Sequence, residues 1–138
     1  MIDGFKTSVP LQLRFCDTDA LGHVNNARYL EYLELARIEY LKKCFGVTKT
    51  GEFDVIVARI EIDYKSPLLP HEAADCGIRV ERIGGASFDF GYRIEERQAG
   101  RLIALAKSVM VCFDYKAGRV KKIDEQTVRK MREYDGIA

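Results

Sequence analysis

No apolar stretch in the 138 residues approaches the roughly 18 that a membrane-spanning helix needs; the longest, Ala104 to Phe113, is interrupted by Lys107 and Ser108. An excess of one charge is equally absent. The 22 Lys+Arg stand against 21 Asp+Glu, a formal charge of +1, so nothing draws the chain electrostatically to a phosphate polymer or an anionic membrane. Cys16, Cys44, Cys76 and Cys112 form no Cys-x-x-Cys pair, and His23 and His71 lie away from them in sequence. Neither a zinc knuckle nor a redox pair is encoded locally, and the cysteines are expected to be reduced, mostly core thiols. The segment Met1 to Val9 holds Asp3 and lacks the basic start and apolar centre of an export signal, so a cytoplasmic location is the default expectation. Linkers, repeats and low-complexity tracts are missing too, which makes residues 1–138 one expected domain.

What is present is ordinary globular material, 47% hydrophobic and 31% charged. Val9, Leu11, Leu13 and Phe15 alternate with Gln12 and Arg14, the period of a half-buried first strand over Val9 to Phe15. Between Ala27 and Phe45 the stripe Tyr29, Leu33, Ala36, Tyr40, Cys44, widened by Leu30 and Leu41, predicts a helix of about five turns, roughly 28 Å long. Asn25 or Asn26 suits its N-cap, and Gly46 its left-handed end. Ile56, Ala58, Ile60, Ile62 and Tyr64 alternate until Pro67 and Pro70 end that strand. Cys76, Ile78 and Val80 form another, and Gly84-Gly85 turns it into Phe88, Phe90, Tyr92 and Ile94, an adjacent antiparallel strand. Leu102 to Phe113, apolar on both faces, reads as a strand central in the sheet, and Asp124 to Tyr134 as a terminal helix. This order gives the α+β class, an antiparallel sheet curled around one long helix. One helix covers only one face of such a sheet, so dimerisation is expected to bury more.

Chemistry-bearing residues concentrate in Asp17-Thr18-Asp19-Ala20-Leu21-Gly22-His23-Val24-Asn25-Asn26, directly before the long helix. A helix start offers unpaired N–H groups and partial positive charge. A carboxylate beside it can attack a bound carbonyl or activate a water while those N–H groups stabilise the oxyanion. The same residue types also serve as plain helix caps, and spacing alone does not separate the two readings. No second His or Cys lies at ligand spacing from His23, which argues against a metal.

The stretch Phe15 to Arg37, FCDTDALGHVNNARYLEYLELAR, closely resembles the opening signature of the hotdog-fold thioesterases of the 4-hydroxybenzoyl-CoA thioesterase type: the DxD, GHVNN, YL and ELAR elements stand in order. The resemblance implies a hotdog fold, a curved antiparallel sheet wrapped around one long central helix, and hydrolysis of an acyl-CoA to free acid and CoA. It also implies homodimers that often pair into homotetramers, active sites at the subunit interface, and no metal or other cofactor. The second DxD carboxylate, Asp19, takes the catalytic position as nucleophile or general base, and His23 that of an orienting histidine. The implied substrate-binding residues are Gly22, Val24, Asn25, Asn26 and Tyr29, with backbone N–H groups of Gly22 to Asn26 polarising the thioester carbonyl.

An aspartate is ionised at neutral pH, which suits Asp19 to either role, and Asp17 is assigned to turn stability. Leu21 stands where acyl-ACP thioesterases carry an asparagine, so only Asp19 and His23 carry over from their signature. The turn Gly84-Gly85-Ala86 holds no basic residue where some aroyl-CoA members bind nucleotide phosphates; Arg82, Lys65 and Lys107 are the alternatives. Arg37 is read as structural, ion-paired to Glu34 or a strand carboxylate. Tyr29, Tyr32 and Tyr40 are read first as core, although they could line an acyl pocket. The competing functions are an acyl-ACP thioesterase, a non-catalytic acyl-thioester binding module, and a sheet-based nucleic-acid binder, the last disfavoured by the charge balance.

Overall fold

The computed structural model describes residues 2–49 and 53–137. Strand β1 (Thr7–Leu11) leads through two short 3-10 turns, Phe15–Asp17 and Asn26–Arg28, into helix α1 (Tyr29–Phe45). Strands β2 (Val55–Tyr64), β3 (Ala74–Ile83), β4 (Ser87–Glu96), β5 (Leu102–Asp114) and β6 (Arg119–Val120) follow, and helix α2 (Glu125–Asp135) ends the chain. The sheet runs β1-β3-β4-β5-β2 with every pairing antiparallel, and β6 pairs with β5.

Helix α1 buries Tyr29, Tyr32, Leu33, Ala36 and Tyr40 against the inner face of the sheet, where Ile78, Val80, Phe88, Phe90, Tyr92 and Ile94 are buried in turn. The predicted stripe is therefore the one that packs, although Leu30, expected to widen it, is exposed. Gly46 closes the helix at φ 69°, where its N–H reaches back to the last-turn carbonyls. Tyr40 stands edge-on to Phe90, and its hydroxyl donates to Asp135 Oδ2 at 2.7 Å. The same oxygen accepts the Val80 N–H at 2.9 Å, so one carboxylate of α2 pins that helix to both α1 and β3.

Several expectations need correction. The first strand ends at Leu11 rather than Phe15, because the Asp17 carboxylate draws the Arg14 N–H (3.0 Å) and guanidinium (2.9 Å) into a tight turn, leaving Phe15 88% exposed. In β2 the register against β5 shifts between Val57 and Arg59. Val55, Ile60 and Ile62 pack against the core while Val57 and Tyr64 are exposed, and the simple alternation from Ile56 and Ala58 fails at this bulge. Strand β6 carries two exposed residues and no periodicity to announce it. Arg37 makes no ion pair among the described residues; its guanidinium donates to the Tyr92 hydroxyl (3.2 Å), which pairs with Ser108 Oγ at 2.7 Å. Cys76 and Cys112 are buried, Cys44 is half-buried and Cys16 is exposed.

Strand β5 lies between β4 and β2, as its two-faced apolarity predicts, and β3 and β4 are adjacent and antiparallel. No helix among the described residues is long and apolar enough to cross a membrane. Strand β2 forms one edge of the sheet over its whole length, and its end passes beside the start of α1: the Tyr64 hydroxyl donates to the Asn26 carbonyl at 3.0 Å. That contact brings the two walls of a cleft together.

Candidate active site

The loop before α1 is built on a buried carboxylate. Asp17 is 1% exposed and takes Arg14 on both of its oxygens, with the Tyr32 hydroxyl at 3.4 Å and the Arg28 guanidinium at 3.6 Å. Burial pushes this carboxyl up, but the hydrogen bonds and charge of Arg14, with Arg28 behind, outweigh it and hold the group below the usual carboxylate range. Its carbonyl accepts the Asn25 N–H (2.7 Å) while the Asp19 N–H donates to the His23 carbonyl (2.9 Å), so the chain leaves Asp17 and returns to it as a small antiparallel loop. Gly22, at φ 87°, supplies the left-handed residue that the reversal needs.

Asp19 sits at the head of that loop. One carboxylate oxygen, Oδ1, accepts the Leu21 N–H at 2.8 Å, which fixes the side chain. The other, Oδ2, is 3.9 Å from His23 Nδ1, too long for a hydrogen bond, and stays available to a ligand. Both side chains are partly open, Asp19 at 27% and His23 at 35%. A cleft of about 410 Å³ is lined by Asp19, His23, Val24, Asn26 and Tyr29 on one side, and by Tyr64, Lys65, Ser66 and Pro67 from the end of β2 and the turn beyond it. Gly22 and Asn25 lie outside this lining. Gly22 forms the turn, and Asn25 caps the 3-10 turn by accepting the Ala27 N–H at 2.9 Å.

The N–H groups of Gly22 to Asn26 divide in two. Gly22 donates to Asp19 O, Val24 to Leu68 O and Asn25 to Asp17 O, so these three are engaged inside the fold. Those of His23 and Asn26 donate to nothing among the described residues, and Asn26 lines the cleft at the start of the helical segment. A free N–H at a helix start, on the same wall of a cleft as a partly open carboxylate, is an arrangement that can polarise a carbonyl while a base or nucleophile approaches its carbon. Among the described residues no three His, Cys, Asp or Glu are grouped as metal ligands.

Sequence reasoning did not find the opposite wall. Tyr64, Ser66 and Pro67 are 45 to 48 positions from Asp19, and only Pro67, just after the end of β2, hinted that the chain turns there. Of the three basic alternatives for phosphate recognition, Lys65 lines the cleft. Arg82 and Lys107 instead both engage the buried Asp89, at 2.9 and 3.3 Å, on the other face of the sheet.

Residues 13–131 match the family described as the thioesterase-like superfamily. The chain belongs to this family. Among its relatives, the long-chain acyl-CoA thioesterase FadM of Escherichia coli is 26% identical over 125 residues, covering 89% of this chain and 95% of that protein. The acyl-CoA thioesterase YbgC of Haemophilus influenzae is 28% identical over 120 residues, 84% of this chain and 85% of the other. A Thermus thermophilus thioesterase, solved as a complex with coenzyme A and zinc, superposes with a TM-score of 0.87 at 32% identity, covering 98% of both chains. The architecture of this thioesterase-like chain is accordingly the hotdog fold, the α+β arrangement expected from its signature.

The Asp17 cluster has a measurable consequence in this thioesterase-like loop. A carboxyl whose folded-state value is depressed contributes stability above its unfolded value, and that contribution is lost as pH falls through the folded value. Asp17→Asn is expected to cost about 1–3 kcal/mol at neutral pH. In urea unfolding, the gap between wild type and variant should shrink as the pH is lowered from about 5 towards 3. A gap that does not narrow would contradict the ionised, Arg14-bound state.

Proposed function

We propose that this protein hydrolyses acyl-CoA thioesters to the free acid and coenzyme A, with Asp19 as nucleophile or general base. The observation that carries the reading is one cleft bounded both by the open Oδ2 of Asp19 and by Asn26, whose N–H is free. Acyl-CoA as the substrate rests on the activities named for the FadM and YbgC relatives. The thioester carbonyl oxygen accepts the Asn26 N–H and gains negative charge as the carbon becomes tetrahedral. Acting as base, Asp19 takes a proton from the attacking water. As nucleophile it forms an anhydride that water then opens by attack at the acyl carbon. In both routes the C–S bond breaks, the water oxygen ends in the acid, and a water proton ends on the thiol. His23, beside Asp19 but not bonded to it, orients the water or thioester, and Val24 and Tyr29 wall the acyl group.

The assembly belongs to the same proposal. A ten-residue β2 with one edge unpaired in the chain, and Val57 and Tyr64 exposed on it, suits pairing with a second copy, which removes the open edge. The cleft lies at the end of that strand, so the second copy would add to its wall. Light scattering at micromolar concentration should give the mass of two or four chains; the mass of a single chain would overturn this part.

For the chemistry, release of free thiol from a panel of acyl-CoAs is followed with a thiol reagent. Asp19→Asn should lose on the order of a hundredfold or more in kcat with an unchanged melting temperature, whereas Asp17→Asn should lower the melting temperature. Full activity in Asp19→Asn, or equal kinetic losses in both variants without loss of stability, would sink the assignment.

A further inference from the structure

Tyr29, the first residue of α1, is only 3% exposed. Its ring is fixed edge-on to Tyr64, with centroids 5.0 Å apart and planes at 87°, and tilted on Tyr32 at 5.8 Å. The other tyrosines of this region use their hydroxyls within the fold: Tyr32 on Asp17 and Tyr64 on the Asn26 carbonyl. The Tyr29 hydroxyl makes no hydrogen bond among the described residues. No fully buried side-chain oxygen or nitrogen among them lacks a partner, so this oxygen is reached from the cleft that Tyr29 lines. Burial pushes the phenol up to about 12, with the nearby Tyr64 adding to the shift and Arg101 opposing it, so it remains a donor across the physiological range.

A rigid, nearly buried donor with no protein acceptor is costly unless a ligand or water satisfies it. Its depth indicates which part of a thioester it meets. Asp19 and His23 are about a quarter to a third open, while Tyr29 is almost sealed. A substrate with its CoA in solvent and its carbonyl at Asp19 carries its acyl group further in.

Resting on the thioesterase reading, we propose that Tyr29 is a specificity-determining residue whose hydroxyl hydrogen-bonds an oxygen carried by the acyl group, so that hydroxy- or oxo-acyl thioesters are preferred over plain hydrocarbon ones. A site built to bond a substrate oxygen discriminates strongly against the analogue that lacks it, because the buried donor is then left unpaired.

The test uses CoA thioesters that differ by one oxygen: butanoyl against 3-hydroxybutanoyl and 3-oxobutanoyl, and benzoyl against its three monohydroxy isomers. Wild type should favour an oxygenated member by about tenfold or more in kcat/KM, and Tyr29→Phe, which keeps the ring and its contacts, should bring that ratio close to one. A wild-type ratio of one or less in every comparison, or a preference that survives in Tyr29→Phe, would overturn the proposal. If no thioester is hydrolysed, the thioesterase reading fails separately. Calorimetric affinities of the same compounds for wild type and Tyr29→Phe then decide the role of Tyr29 by the same ratios.

Discussion

The carboxylate of Asp17, buried beneath Arg14 at the point where the chain leaves β1, governs the geometry of everything downstream. A buried anion is stable only when its lone pairs are filled, and here Arg14, Arg28 and Tyr32 fill them. Filling them ends β1 early, turns Phe15 outward and brings Asn25 back to the Asp17 carbonyl. The excursion between Asp17 and Asn25 is then a short, hydrogen-bonded loop with Asp19 at its head. Two aspartates two residues apart thus have separate tasks. One is enclosed and holds the loop, and the other keeps an oxygen open to the cleft.

Helix α1 supplies the second constraint. Its apolar stripe lies along the inner face of the sheet, and the Tyr40–Asp135–Val80 contacts lock α2 against both. The helix start is therefore fixed relative to the end of β2, and the Tyr64 hydroxyl on the Asn26 carbonyl joins the two at the cleft itself. Binding groups carried by rigid elements lose little entropy when a substrate arrives. Beneath the helix, Arg37, Tyr92 and Ser108 form a polar chain through an otherwise apolar layer, a choice that packing periodicity does not announce.

Much of this was legible in the residues. The steps of three and four from Tyr29 to Cys44 marked the face of α1 that packs, Gly46 marked its end, and the two-faced apolarity of Leu102 to Phe113 placed β5 centrally. The concentration of carboxylates, amides and imidazole before α1 located one wall of the cleft, and Asp17 was recognised as the turn-holding member. What escaped depends on non-local geometry. The bulge at Ala58 displaces the pattern before it, so that Val55 packs on the core out of step with Ile60 and Ile62, and no residue there signals it. Tyr64, Ser66 and Pro67 meet the Asp19 loop only because the sheet curls, and a linear pattern does not carry curvature. Arg37 looked like one half of an ion pair because its neighbours on the helix are acidic, yet it reaches under the helix to a phenol that only the folded sheet supplies.

The central claim is that the open oxygen of Asp19 and the free N–H of Asn26 act on the same carbonyl. The most direct measurement is a crystal structure with a ketone analogue of an acyl-CoA, in which a methylene separates the carbonyl from the sulfur and blocks hydrolysis. The account predicts the carbonyl oxygen in hydrogen-bond contact with the Asn26 N–H, and its carbon roughly 3–3.5 Å from Asp19 Oδ2 or from a water held by it. A carbonyl bound elsewhere, with Asp19 turned away from it, would contradict the account.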